Sequence, residues 1–520
     1  MSELNTFPVP AVGGLDLVSP PQVLAQKAGA AVQLNNYEAV AEGGYRRING
    51  YESFGDIPDG FNTLQVRGMA IYKGVVVVVG QYVLHSPDGV TFFPVNLGGC
   101  LDKPSLELNG LAELPRHGAG KVEFAKVNID GHEQLIITDS MDSPCILKVV
   151  GDLYTYKEVV GDTTKGMVHA TRYQDHVVIG GSKEAPGLVA VSARFKPDDF
   201  SGTGSWSVTV QDEVTGLHTF RDYLYIFCRS SIYRVVNLES SANVTVRPVT
   251  TKIGCVDGST IQEIGGDIIF LAADGLRYLG ATERIDDVSL TVVSRPIKPL
   301  TDKIDPSKGP ISSVVIPSKA QYRLYYTNTG GASVGIIGTL VQDNQFHWST
   351  ISDMNVIDIA SEVDEGDEKI YHVGAPRIGA LRVYRHDIGD TFDGTPFVST
   401  WKTPVFHMGD SAVRKRLHSM MGYLEATKKA DIKMIVKFDY ERPTTLQPEP
   451  FYFVQHNGAM IYGETRYGEG VFGSLIYPTD SIFLEGSGKW IQFIFMDNAV
   501  DNASYIMRGF DLQFSSGGRI

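Results

Sequence analysis

GMAIYKGVVVVVG, residues 68–80, reads as two apolar runs hinged on Lys73-Gly74. A two-residue polar hinge between apolar runs is hairpin chemistry. The second run, Val75 to Val79, has no polar alternation, as expected of a strand buried on both faces. The pattern returns as FAKVNIDGHEQLIITD (124–139), VHATRYQDHVVIGG (168–181) and LHTFRDYLYIFC (217–228). It returns again as IQEIGGDIIFLAADG (261–275), SVVIPSKAQYRLYYTN (313–328) and IASEVDEGDEKIYHVG (359–374). Second strands starting at Val75, Gln134, His176, Tyr223, Asp267, Tyr322 and Lys369 are 42 to 59 residues apart, 49 on average.

A third β-run follows most hairpins: YVLHS (82–86), CILKV (145–149), LVAVS (188–192), SIYRVV (231–236), LRYLG (276–280) and LRVYR (381–385). A more polar fourth run follows in places, NVTVRPV (243–249) and SLTVVSRPI (289–297). Three or four strands per ~40–50 residues is the signature of a β-propeller blade. The sequence therefore predicts an all-β chain with a β-propeller-like body of six or seven blades over residues 61–395. Each apolar second strand would lie deep in its sheet, between neighbouring blades.

After Thr395 the period changes. IKMIVKF (432–438), WIQFIFMD (490–497) and FDLQF (510–514) alternate apolar and polar residues, which predicts a C-terminal antiparallel β-sandwich over 396–520. Two long loops, 442–450 and 456–474, interrupt it; such loops usually contact something. Residues 1–60 read as an extended arm with a hairpin. SPPQVLAQKAGA (19–30) is the best helical candidate, capped by Ser19, and AEGGYRRINGYESFGD (41–56) reads as an exposed turn with basic tips.

Composition agrees. There are 55 glycines in 520 residues, above the usual ~7%, as many turns require. The net charge is −14, and residues 401–520 hold 13 basic and 13 acidic residues, so the imbalance lies in residues 1–400. An acidic body argues against adhesion to DNA phosphates or anionic membrane. No signal peptide opens the chain, and its densest apolar run is too short to cross a bilayer. Cys100, Cys145, Cys228 and Cys255 are widely spaced without a CxxC, so buried thiols are expected rather than a disulfide framework or a zinc site.

The common nucleotide, zinc-protease and hydrolase motifs are missing, and no two histidines form an i, i+4 pair. SPDGVTFF (86–93) has the look of a sialidase Asp-box turn but lacks its tryptophan and does not recur, leaving an ordinary Asp88-Gly89 turn. VDEGDE (363–368) gathers Asp364, Glu365, Asp367 and Glu368, read as a solvated acidic tip because a full calcium-loop spacing is absent. The basic run Arg414, Lys415, Arg416 is a solvated face or a docking spot. The sequence thus predicts no catalytic, cofactor or metal residues and a protein that is not an enzyme, although sixty acids always include close pairs.

GGLDLVSPPQVLAQKAGAAVQLNNYEAVAEGGYRRINGYESFGD (13–56) resembles the opening of tail nozzle (tail tubular) proteins of short-tailed, podovirus-type bacteriophages. The matching positions are Gly13, Gly14, Leu15, Asn35, Gly43, Gly44, Arg46, Arg47, Gly50, Tyr51, Glu52 and Phe54; Ile48 stands where a third arginine is common. EVTGLHTFRDYLYIFCRSSIYRV (213–235) and YIMRGFDLQFSSGGR (505–519) are similar too. The resemblance implies a virion structural protein, assembled in the host cytoplasm. Copies would form a homo-oligomeric, hexameric ring below the tail adaptor that extends the DNA ejection channel and anchors fibre, spike or needle proteins. DNA would cross the lumen without sequence-specific binding, and no membrane insertion is implied. Ring and partner contacts are expected at Tyr45, Arg46, Arg47, Tyr51, Arg414, Lys415, Arg416, Tyr462 and Tyr467. Two alternatives stand beside this reading: a glycan-binding or glycan-cleaving propeller, and a WD-like scaffold, whose GH…WD signatures are missing.

Overall fold

A computed structural model describes residues 4–27, 29–95, 120–129, 131–151, 153–159, 164–236, 244–280, 292–342, 345–364, 366–375, 381–426, 430–443, 445–455, 476–478, 481–498 and 503–517. Cys100, Tyr462, Tyr467, Glu365, residues 289–291 and the loop 456–474 lie outside them.

The repeat is a β-propeller. Six separate sheets of three or four antiparallel strands stand around one axis, and the inner four strands of a nine-stranded sheet fill a seventh sector. The separate sheets begin at Val66–Ile71, Val122–Ile129, His169–Tyr173, Val214–Phe220, Gln262–Ile264 and Asp358–Asp364; the seventh sector begins at Ile311–Ile316. First strands of neighbouring sheets touch, with the turn Gly258–Thr260 making the contact between Val214–Phe220 and the next sheet, and the Asp358–Asp364 strand meets Val66–Ile71 to close the round.

The valine run shows why the sequence folds this way. All five residues of Val75–Val79 are fully buried. Val76 and Val78 pack with Leu135, Ile137 and Leu147 of the next blade. Val75, Val77 and Val79 face the other way, onto Tyr371, Val373 and Val383 of the last blade. Side chains alternate across a strand, so a strand lying between two blades must be apolar at every position. The blade of Tyr223–Cys228 divides likewise, Leu224 and Ile226 to one neighbour, Tyr225 and Phe227 to the other.

The nine-stranded sheet runs without a break from the seventh sector into the C-terminal domain, through Phe346–Ile351, Gln33–Asn35, Ser399–Lys402, Ile491–Asp497, Ala430–Phe438 and Phe451–Gln455. A second sheet, centred on Lys415–Ala426 and Tyr505–Ser516, packs over it. Between them lies one core in which Trp401 stacks on Phe495 at 5.0 Å and Phe510 packs against both Phe493 and Phe495. The predicted alternation holds: Ala430–Phe438 is buried at every second residue.

Residues 1–60 are no extended arm. Leu4–Pro10 pairs with Tyr505–Ser516, and Tyr37–Ala39 and Tyr45–Arg47 join the same sheet. Gln33–Asn35 enters the nine-stranded sheet. Tyr51–Asp56 is the outermost strand of the last blade, paired with Arg382–His386, so the N-terminus latches the end of the propeller. AEGGYRRINGYESFGD is therefore turn and strand woven into two sheets, not an exposed basic tip. The helix at 19–30 shrinks to Pro21–Leu24, and Pro20, not Ser19, sits at its N-cap. Of SLTVVSRPI (289–297), the described part bridges the third strand antiparallel at Val292–Arg277 and then turns into a 3-10 helix at Arg295–Ile297; residues 289–291 lie outside the described residues. Cys145, Cys228 and Cys255 are buried.

Candidate functional site

The propeller axis is the place where elements far apart in sequence bring polar side chains together. A cavity of about 290 Å³ there is lined by the first strands Val66–Ile71, Val122–Ile129, Ile311–Ile316 and Asp358–Asp364 and by residues 258–262. At one end a wider mouth of about 540 Å³, lined by Arg67, Lys121, Asp257, Lys308 and Asp358, shares Lys121 and Asp358 with it.

Asp358 binds three first strands together. One carboxylate oxygen accepts from the Met69 amide at 2.8 Å, the other from the Ser312 hydroxyl at 2.5 Å and the Ile359 amide at 3.0 Å. Glu123 accepts from His169 Nδ1 at 3.1 Å. Burial disfavours a charged His169, but Glu123 beside it, with Asp257 further off, lifts its pKa above the ordinary imidazole value. Lys126 and Glu362 form an ion pair that joins the second blade to the last. Lys121 donates to the Ile311 carbonyl at 2.6 Å. Asp257 caps the 3-10 turn at Gly258–Thr260 by accepting from the Ser259 amide. Arg67 donates to the Gly120 carbonyl at 2.7 Å and pairs with Asp139, its pKa lowered by burial. The axis thus presents carboxylates, an imidazole and lysines, and the chain's own donors hold most of the carboxylates.

A second recess, about 340 Å³, lies where propeller meets sandwich, lined by Tyr51, Asp353, Tyr384, Phe392, Asp393 and Phe397. Its wall is a pile of rings: Tyr51 stacks on Phe392, Phe392 on Phe397, and the Arg47 guanidinium lies 4.1 Å from the Phe397 centroid.

The residues expected at partner contacts lie in different places. Tyr45 is fully buried, accepting from the Gly14 amide at 3.0 Å and donating to the Gly29 carbonyl at 2.6 Å. Arg47 is buried in an ion pair with Asp497 at 3.0 Å. Tyr51 is half-buried in the ring pile, and Arg46 faces Glu38 at 3.5 Å. These corrections share one cause: the segment enters two sheets as strands, which turns its side chains inward. Arg414 pairs with Asp439 at 3.1 Å, Lys415 is buried against the Asp410 carbonyl, and Arg416 is exposed. Tyr462 and Tyr467 are outside the described residues. The acidic tip is the turn of the last blade's first hairpin, Asp364 paired with Lys369. Among the described residues no three histidine, cysteine or acidic side chains are grouped for a metal ion. Among them, too, no helix is long and apolar enough to cross a membrane.

Sequence reasoning missed Glu123, His169 and Asp358. Each sits on a first strand, and nothing local marks a residue that only the closing of a ring carries to an axis.

No protein-family profile and no curated protein matches the chain. Among solved structures it is similar to the extracellular domain of the hybrid two-component system BT4673 from B. thetaiotaomicron, at 9% identity and TM-score 0.36. That match covers 64% of this chain, which spans only 39% of the other. It is also similar to an exo-beta-1,3-galactanase from Phanerochaete chrysosporium, at 11% identity and TM-score 0.25, covering 98% of this chain and 100% of that one. The expectation that the chain is not an enzyme is corrected here: an enzyme stands among the structures it is similar to, and the exclusion is withdrawn. At these scores neither likeness assigns an activity.

Proposed function

We propose that the chain is a structural protein of a short phage tail, one stave of a homo-oligomeric nozzle ring. The observation that carries this reading is the weaving of residues 13–56, the stretch that resembles nozzle proteins. Those residues pair with both sheets of the sandwich and latch the last blade. Propeller, sandwich and N-terminus become one rigid wall element, as a conduit under internal pressure requires. The propeller's own axis holds a cavity of about 290 Å³, too small for a duplex, and the Lys126–Glu362 pair ties the second blade to the last beside it. DNA therefore passes between copies, along surfaces whose net negative charge gives phosphates nothing to bind.

Mass photometry of the purified chain, alone and with lysate of infected cells, tests the reading. A closed species at six times the 56.8 kDa chain is the expected result. A monomer in both samples contradicts it.

A second reading is favoured by the axial cavity itself: a propeller that binds or cleaves a glycan, with Glu123 and Asp358 on the cavity wall. Saturable binding on a glycan array, lost in Asp358→Asn and Glu123→Gln, supports it; no binding removes it.

A further inference from the structure

One face of the sandwich lies outside the cores described above. In the strands Ser399–Lys402, Ile491–Asp497, Ala430–Phe438 and Phe451–Gln455, alternate residues point into the core, and the others form the opposite face of the nine-stranded sheet. Register brings Lys402 beside Ile494, Ile494 beside Ile435, and Lys433 between Met496 and Tyr452. Ile435, Ile494 and Met496 belong to no apolar core cluster, whereas their neighbours Val436, Phe493 and Phe495 are fully buried in one. Tyr452 is 56% exposed. The ammonium groups of Lys402 and Lys433 have no hydrogen-bond or ion-pair partner among the described residues, in contrast to Lys437, which pairs with Glu441. Asp431 is the carboxylate that shares this face.

The chain's charge is divided in a matching way. The whole net −14 lies in residues 1–400, and residues 401–520 are balanced. A basic, partly apolar sheet face on a neutral domain and an acidic propeller on the same chain are complementary surfaces. Within one copy the continuous nine-stranded sheet joins the two domains edge to edge. A contact between unlike surfaces of identical chains is heterologous and closes into a ring when the rotation allows.

We propose that this face, centred on Lys402, Lys433, Ile435 and Ile494, docks on the acidic propeller of a second copy and is the contact that closes the ring. This rests on the nozzle reading. Charge attraction sets register and association rate, and the apolar residues between the lysines exclude water at the centre.

Carbodiimide coupling, which joins an amine to a touching carboxylate without a spacer, tests it on a mixture of isotopically light and heavy full-length chains. The expected products are mixed-isotope links from Lys402 or Lys433 to acids of residues 66–386. The variant Lys402→Glu/Lys433→Glu should keep the wild-type melting profile and lose the ring at least tenfold, and added salt should weaken the wild-type ring. A control, Lys298→Glu on the exposed Lys298–Asp302 pair, should assemble normally. Rings that form as well in the double variant, or whose links from these lysines are all within one copy, overturn the inference and leave the ring reading standing. A wild-type chain that never assembles overturns both.

Discussion

Nδ1 of His386 lies 3.2 Å from Nδ1 of His372, and both rings are buried where the last blade meets the N-terminal strands. Arg323 donates to His386 Nε2 at 2.8 Å, which makes Nδ1 the protonated nitrogen of His386 and Nδ1 of His372 its acceptor. The remaining N–H of His372, on Nε2, is buried without a partner among the described residues. A further proton on either ring would point at an existing N–H. Burial pushes His372 down to about 3; burial, then His372 and Arg323, hold His386 well below its ordinary value. Asp387, although burial opposes its charge, is kept ionised by Arg323 and Lys319.

Both histidines titrate lower in the folded chain than in the unfolded one, where the pKa is ~6.5. Their contribution is complete above that value and is lost as pH falls, because the unfolded chain then binds more protons. Each removes about 2 kcal/mol between pH 6.5 and pH 5. His169 works in the opposite sense, since its raised pKa stabilises below ~6.5 and that gain fades as pH rises. Thermal melts should show a lower midpoint at pH 5 than at pH 7, and His372→Phe should flatten the difference. An equal slope in the variant contradicts this account.

Arg47 and Asp497 form a buried pair, their side chains 1% and 0% exposed. Removing one partner strands the other's charge, which costs roughly 3–5 kcal/mol. Asp497→Asn should therefore destabilise strongly, and Arg47→Met/Asp497→Leu should recover much of the loss. Denaturant midpoints of the single and double variants check this.

The valine run makes a packing prediction. Val77→Ala opens space between the first and last blades and should cost about 2 kcal/mol. Val363→Ala, at a position 57% exposed, should fall within about 0.5 kcal/mol of wild type. Equal losses in urea unfolding would sink the assignment of that strand to a two-sided interface.

Asp358 should behave as a tie between strands. Asp358→Asn turns an acceptor into a donor facing either the Met69 amide or the Ser312 hydroxyl, and should cost about 1–3 kcal/mol. Hydrogen exchange should rise at Met69 and Ile359 before it rises at the second strands.

Much of the propeller was legible in sequence, because a strand held between two blades must be apolar on both faces and Val75–Val79 has no other use. The seven expected second strands all fall on strands, at or within three residues of the expected starts. The alternation of Ile432, Met434, Val436 and Phe438 likewise announced a sheet with one buried face. The role of residues 1–60 was hidden. Gln33–Asn35 and Tyr45–Arg47 are three residues each, too short for a period to show, and the strands that tie them into the two large sheets lie more than 300 residues away. Arg46 and Arg47 looked like surface charge because the acids that hold them, Glu38 and Asp497, are joined to them only by the folded sheets. The axial residues were hidden for the same reason, since Asp358 and Met69 are 289 residues apart.

Negative-stain class averages of the assembled full chain test the central claim most directly. The ring account predicts six-fold particles with an open centre, each stave carrying a propeller whose own axis is closed. Particles that are single propellers, or rings whose only opening runs through the propellers, would contradict it.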